Sequence, residues 1–351
     1  MKSHPGTVLH VAAAEAGLTI TAFLRSRLAA ASWSHVQSLV RSRHVLVHGN
    51  ICTDAARRLK DGEVVKILEA AAPKPPGPRD VRIVHLDDDV VVVDKPTGLT
   101  TTRHHEELSW PARRRQIQPT LEELVPEAIR EHLARSGAAR PPRRGAAASA
   151  AAGSTPPRRR VPPVRAVHRI DRETSGLVVF ARNVPASRIM AEQFRLHTTH
   201  RRYLAIVVGR VGAGTMRSHL IRDRGDGRRG SAEGDDGKLA VTHVLPVEHF
   251  GDAYTLVECR LETGRTHQIR IHMCESGHSV CGERVYLQAR RSNASQSRRG
   301  GAVDESRALR VMLHAAELGF VHPVTGDQLT FTSPLPADMR RVLAELRKRF
   351  P

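Results

Sequence analysis

The chain of 351 residues holds only four cysteines, Cys52, Cys259, Cys274 and Cys281. So few, at such irregular spacing, exclude a disulfide framework. Zinc-site pairing is also missing. His267, His272, Cys274, His278 and Cys281 lie close together in sequence, but no C-x-x-C or H-x-x-x-H spacing has a matching second half. No metal and no cofactor is expected. Nowhere does an apolar run approach the roughly 18 residues of a membrane-spanning helix, and "MKSHPGTVLHVAAAEAG", broken by His10 and Glu15, makes a poor signal peptide. The expectation is a cytoplasmic protein without a membrane partner. Acidic residues are scarce as well, 36 Asp and Glu against 55 Lys and Arg, a formal charge of +19. Such an excess favours a polyanionic partner, because each phosphate neutralised by Lys or Arg releases condensed counterions. Nucleic acid is the first candidate.

The length allows about two domains. In "GLTITAFLRSRLAAAS", Ile20, Phe23, Leu24 and Leu28 share one helical face. In "SHVQSLVRSR", Ser34 is placed to cap a second helix whose stripe is Val36, Leu39 and Val40. "HVLVHGN" and "DGEVVKIL" read as short strands with turns. Arg25, Arg27, His35, Arg41, Arg43 and His48 then form either a cationic binding face or an ordinary solvated one. The pattern "SHVQSLVRSRHVLVHGN" followed by "RRLKDGEVVKIL" resembles the ribosomal-protein-S-four-like RNA-binding domain, with His48 and Glu63 replacing the family's usual Asn and Asp. The resemblance implies docking on structured RNA, with Arg25, Arg41 and Arg43 among the contacts.

A Pro-rich linker over 71–80 separates this domain, 1–70, from a second one over 81–351. The second opens with the β-branched run Val90 to Val93, followed by a helix in "QPTLEELVPEAIREHL". Residues 136–165 carry seven arginines and no acid among Ala, Pro and Gly, and a similar stretch spans 288–307; both read as mobile Arg-rich insertions. The remaining strand-like runs, "GLVVFA", "YLAIVVG", "KLAVTHVLPVE" and "YTLVECRLETG", lack regular crossover helices between them. The expected fold class is α+β: a mixed, largely antiparallel sheet with peripheral helices, beside a small α/β amino-terminal domain.

The chemistry concentrates in "HRIDRETSG" and "LETGRTHQIRIHMCESGHSVCGE". Asp171 is surrounded by His168, Arg169, Arg172, Thr174 and Ser175, and cations and donors of this kind favour the ionised carboxylate, as a nucleophile or base requires. Taken alone, an Asp such as Asp171 more often serves as a structural salt-bridge hub. A kinase catalytic loop is excluded by the H-R-x-D spacing and the absence of D-F-G and of a Gly-rich phosphate loop. In the second segment Thr266 is placed to cap a helix with His267, Arg270 and Cys274 along one side.

"HRIDRETSGLVVFAR" resembles the "HRLDxxTSGLl" signature of RluA-type pseudouridine synthases. "VVVVDKPTGL", "RRYLAIVVG", "GRTHQIRIH" with "SGHSVCGE", and "LHAAELGFVHPVTGDQLTFTSPLP" agree with that family in order, so the likeness spans nearly the whole chain outside the insertions. The resemblance implies an isomerase that converts uridine in RNA to pseudouridine. It makes Asp171 the catalytic aspartate, acting at the ribose by attack on the sugar or by removal of its 2′ proton. Tyr203 becomes the residue stacked on uracil that takes the carbon 5 proton, and Arg270 the cation paired with the aspartate. It puts Arg169 in the gap left by a flipped base, a step expected on physical grounds too. RNA contacts are expected at His168, Arg265 and His267 as well, and a uracil pocket at Leu313 and Phe331. The expected substrate is large-subunit ribosomal RNA, with transfer RNA as the alternative inside the family. A non-catalytic RNA-binding ribosome-assembly factor is the alternative of another class. The protein is expected to be a monomer.

Overall fold

A computed structural model describes residues 7–28, 31–47, 50–72, 74–103, 107–109, 111, 115, 118–136, 162–223, 229–232, 234–286 and 303–351. His48 and most of both Arg-rich stretches lie outside the described residues. The chain divides into two compact units, residues 1–75 with 105–118, and residues 76–104 with 119–351.

In the first unit Ile20, Phe23 and Leu24, at the expected i, i+3, i+4 spacing, are fully buried on α1 (Ile20–Arg27), which Thr19 caps through the Ala22 N–H. Sealing Phe23 and Leu24 contributes on the order of 2 kcal/mol each. α2 (Trp33–Arg41) buries Val36 and Val40 beside them. Its cap is Ser32, whose Oγ accepts the His35 N–H at 3.2 Å, so Ser34, expected to cap, lies two residues too late, inside the first turn. Four short strands, β1 (Val8–His10), β2 (Val45–Val47), β3 (Asn50–Ile51) and β4 (Val64–Ile67), form a sheet in the order β1-β4-β2-β3. Glu63, at 7% exposure, accepts the Lys60 N–H and pairs with Arg57 at 2.8 Å, which fixes the turn entering β4.

The second unit is built on an eleven-stranded sheet. Its strands are β5 (Arg82–Leu86), β6 (Val90–Lys95), β7 (Arg165–Ala166), β8 (Ser175–Ala181), β9 (His200–Val208) and β10 (Gly214–Ile221). They continue with β11 (Gly230–Ser231), β12 (Lys238–Phe250), β13 (Tyr254–Leu261), β14 (Leu313–Val321) and β15 (Gln328–Thr332). The order is β11-β10-β12-β13-β9-β14-β8-β6-β5, with β15 paired to β14 and β7 to β8. Only the β14–β8 pair is parallel, so the sheet is mixed and largely antiparallel, as the strand pattern implies. Around it lie α3 (Leu121–Arg135), α4 (Val184–Arg195), α5 (Gln268–Glu275) and α6 (Ala337–Arg349).

β8 is buried along its whole length, which explains its unbroken apolar run "GLVVFA". Gly176 has a φ of +111°, and a Cβ there would stand 2.2 Å from the Ala315 carbonyl oxygen. No other residue lets β14 approach β8 so closely at the strand's mouth.

Candidate active site

Asp171 occupies the bend between β7 and β8, and the turn after β6, "KPTGLTT", holds the backbone on both sides of it. Thr101 Oγ1 accepts the Ile170 N–H at 3.2 Å and donates to the Ile170 carbonyl at 2.8 Å. Thr97 donates to the Glu173 carbonyl at 3.1 Å, and the Gly98 N–H donates to the Arg172 carbonyl at 2.8 Å. Lys95, completely buried, donates from Nζ to the carbonyls of Pro96, Leu99 and Arg172 at 3.0, 2.8 and 3.2 Å. Burial lowers its pKa to about 7, against the opposing attraction of Asp171. These residues tie the 95–101 turn to the 170–173 bend, so the position of the Asp171 Cα is set by its neighbours' backbone bonds.

The carboxylate itself is only lightly engaged. Oδ2 stands 3.7 Å from Arg270 Nη1 and Oδ1 stands 3.7 Å from His267 Nε2, both longer than a hydrogen bond. Its lone pairs therefore face the cleft beside two nitrogen groups that leave them available.

Arg270 rises from the first turn of α5, and its fork is already occupied. Nε and Nη2 donate to Glu283 at 2.7 and 2.8 Å, and the Glu283 side chain is fully buried. Burial alone would lower the Arg270 pKa, but the hydrogen bonds and charge of Glu283, with Asp171 behind them, hold it above the ordinary value. The same pair pulls Glu283 down against its own burial. Arg270 is thus a fixed cation that turns one free edge, Nη1, toward Asp171. Glu283 accepts the N–H groups of Arg284 and Val285 as well. The segment leading to it is fastened to β9 by bonds from Val208 to Ser279 and from Cys281 to Ile206.

α5 starts differently from expectation. Thr266 does not cap it; the N-cap is His267, in the left-handed region at φ +60°, with no side-chain cap bond. Gln268 fastens this end instead. Its Oε1 accepts from the Arg265 N–H and Thr263 Oγ1, while Nε2 donates to Val241 O and Thr242 Oγ1. His267 Nδ1 is 2.5 Å from the Tyr286 hydroxyl, and burial lowers its pKa against the attraction of Asp171.

Asp171, Tyr203, Arg270, His168, Arg169, Arg265, His267 and Leu313 all line one cleft. Tyr203, on β9, is 9% exposed, and burial raises the pKa of its phenol. His168 is committed to the frame: its Nε2 accepts the Val179 N–H at 3.0 Å and its ring stacks on Phe194 at 4.3 Å. Burial lowers its pKa to about 3, so it is a neutral imidazole. Arg169 is exposed at the cleft's surface.

Phe331 is not part of this cleft. On β15 it packs beside Phe320 and His85, with ring centroids 5.9 and 5.2 Å away, against the cluster of Val90, Val92, Leu177, Val179, Leu318 and Met190. The antiparallel pairing of β15 with the far half of β14 carries it away from Leu313, at that strand's beginning. Arg25, Arg41 and Arg43 belong to the first unit. Arg25 and Arg41 are exposed, whereas Arg43, at φ +68°, donates from Nε to the Ala72 carbonyl at 3.0 Å.

Among the described residues, Asp87, Asp89 and His322 lie close enough to share an ion. They do not suit one. His322 Nδ1 accepts the N–H groups of Val324 and Thr325, which leaves the proton on Nε2, directed at Asp87 3.3 Å away.

The family model described as RNA pseudouridylate synthase matches residues 89–275, a span that carries Asp171, Tyr203 and Arg270. The chain is 32% identical over 341 residues, 95% of its length and 90% of the relative's, to the ribosomal large subunit pseudouridine synthase D of Xanthomonas campestris pv. campestris. It is 43% identical over 184 residues, 52% of this chain and 54% of the relative, to an uncharacterized RNA pseudouridine synthase of Chloroflexus aurantiacus. The solved structure of human RNA Pseudouridylate Synthase Domain Containing 4 shares the fold, with a TM-score of 0.52 at 19% identity over 76% of this chain and 93% of that one. The chain belongs to the RNA pseudouridylate synthase family, of the RluA type, and is therefore an isomerase that converts uridine in RNA to pseudouridine.

Proposed function

We propose that Asp171 is the carboxylate that acts at the ribose of the target uridine, with Arg270 holding its charge in place and Tyr203 forming the wall against which the uracil lies. The observation that carries this reading is the open carboxylate of Asp171, 3.7 Å from an arginine whose other two donors are taken by buried Glu283. Attack on the sugar and removal of the 2′ proton both require an ionised, unshielded carboxylate, and a fixed cation alongside favours that form. The reaction breaks the bond from the ribose to base nitrogen 1, forms one to carbon 5, and returns the carbon 5 proton to solvent or to nitrogen 1. The raised pKa of Tyr203 keeps its phenol protonated, which supports a packing and hydrogen-bonding role and argues against phenolate as the base. Arg169, exposed beside the cleft, is suited to fill the stack that the extruded base leaves.

The substrate is large-subunit ribosomal RNA. That choice is supported by the names of the relatives that match most of the chain. The first unit, with exposed Arg25 and Arg41, serves as an S-four-like RNA-binding domain. No helix among the described residues is long and apolar enough to cross a membrane.

Pseudouridine mapping by carbodiimide labelling in deletion cells, complemented with wild type or with Asp171→Asn, tests the reading. Discrete sites in large-subunit ribosomal RNA are expected with wild type and absent with the variant. Sites confined to transfer RNA would move the substrate, and no wild-type site at all would reject the assignment.

A further inference from the structure

Three described arginines are less than a tenth exposed, Arg201 at 8%, Arg270 at 6% and Arg310 at 6%. Two are answered by carboxylates. Arg270 has Glu283 at 2.7 Å and Arg310 has Asp338 at 2.6 Å. Arg201 has no carboxylate within ion-pair distance among the described residues. Among the described residues its Nε has no hydrogen-bond partner and its one acceptor is the Glu262 carbonyl, 3.4 Å from Nη2. Its guanidinium lies 6.0 Å over the Phe194 ring and lines the same cleft as Asp171.

The groups around it add to the imbalance. Arg265 acts on Arg201 as a second cation, while His197 and His168, both pushed toward the neutral form by burial, supply no negative charge to answer it. Burying an uncompensated cation among others is strongly unfavourable. Space is nevertheless kept for it: a Cβ at Gly264 would stand 2.6 Å from Arg201 Nη1, and Gly264 has no left-handed φ that would otherwise call for glycine. The vacant Nε edge, the lack of an acid and the reserved space at Gly264 all point to an anion that arrives with the ligand.

We propose that Arg201, seated on Gly264 with Arg265 and His197 at its edge, is a binding site for one phosphodiester of the RNA next to the target uridine. This inference rests on the reading of the cleft as the RNA site. A phosphodiester supplies two oxygens at the spacing of a guanidinium edge and a single negative charge. It neutralises Arg201 only when RNA is bound, so the group that holds the strand beside the extruded base is also the group whose charge is unanswered without it.

The test uses the full chain and a transcript carrying a uridine that mapping assigns to the enzyme. Arg201→Gln should weaken binding about tenfold or more, and reduce the slope of log affinity against log salt by about one. Replacing single phosphates beside the uridine by neutral methylphosphonate should reveal one position that weakens wild type but leaves Arg201→Gln unaffected. Gly264→Ala, which displaces the guanidinium and keeps its charge, should reproduce the loss and serves if Arg201→Gln does not fold. Arg201→Lys should restore the salt slope without full affinity, and Arg347→Gln, whose partner is Glu248 on the surface, should match wild type. An unchanged slope in Arg201→Gln and Gly264→Ala, or indifference of wild type to methylphosphonate at every flanking position, overturns the proposal. Either result is read only on RNA that wild type converts, so it is distinct from a failure of the Asp171 assignment.

Discussion

Arg25 and Arg41 of the first unit and Arg270 and Arg310 of the second hold positive charge in opposite ways. In the first, Arg25 and Arg41 stand exposed on helices, and even the pair of Arg27 with Glu15, at 2.7 Å, is half in water. In the second, Arg270 and Arg310 are sealed, each held on two donors by a carboxylate. Exposed cations are screened within about 8 Å at physiological salt and contribute attraction without precise geometry. Sealed and doubly bonded ones are costly to bury but hold their position to a fraction of an ångström, which is what a reacting carboxylate needs beside it. Affinity can be distributed over a surface; catalysis requires a fixed site.

If that division is right, damage to the fixed set should disturb stability and turnover together. Glu283→Gln leaves the Arg270 charge buried without its counter-charge and should destabilise the fold by about 3 kcal/mol, with a large fall in single-turnover rate. Urea unfolding and rapid-quench conversion read the two effects; a variant with wild-type stability and rate would show that Glu283 does not hold Arg270. A smaller loss, about 1–3 kcal/mol, is expected for Thr101→Val, which leaves the Ile170 N–H and carbonyl without their partner beside Asp171. Its turnover should fall while its RNA affinity stays near wild type.

The exposed set should behave in reverse. Arg25→Ala with Arg41→Ala should weaken RNA binding at low salt, flatten the salt dependence by up to about two units of slope, and leave unfolding within about 0.5 kcal/mol of wild type. With enzyme saturating over RNA, single-turnover conversion should be unchanged; a slowed step would place the first unit in the chemistry.

A pH-dependent effect tests whether His168 belongs to the frame. Its pKa is lowered from 6.5 to about 3 by burial, so between those values the unfolded chain binds a proton that the folded chain does not. Stability should therefore fall as the pH drops from about 6.5 toward 3, by up to about 1.4 kcal/mol per unit. His168→Phe should lose that part of the acid dependence, and identical pH profiles for the two proteins would refute it.

Much of this arrangement was legible in the sequence because it rests on local patterns. The alternation of apolar and turn residues gave the mixed sheet, and "HRIDRETSG" and "GRTHQIRIH" marked Asp171 and Arg270. What escaped depends on contacts distant in sequence. Glu283 closes the segment "SGHSVCGE", but nothing local shows that it meets Arg270 thirteen residues earlier. Lys95 and Thr101 act through bonds that reach about seventy residues forward to the Asp171 bend, which no local pattern shows. Phe331 was misplaced because a motif gives order along the chain and not which part of a strand a residue pairs with. Thr266 and Ser34 each had an uncapped helix start within reach, but the chain begins α5 through a left-handed His267 and α2 through Ser32.

One assay isolates the proposed role of Asp171. RNA labelled with tritium at carbon 5 of uridine releases the label only when the new carbon bond is completed, so release under single-turnover conditions with saturating enzyme follows chemistry apart from binding. Asp171→Asn should release tritium at least about 10³-fold more slowly than wild type, while binding the RNA within about threefold and unfolding at the same temperature. Release near the wild-type rate by the folded, RNA-bound variant would contradict the assignment.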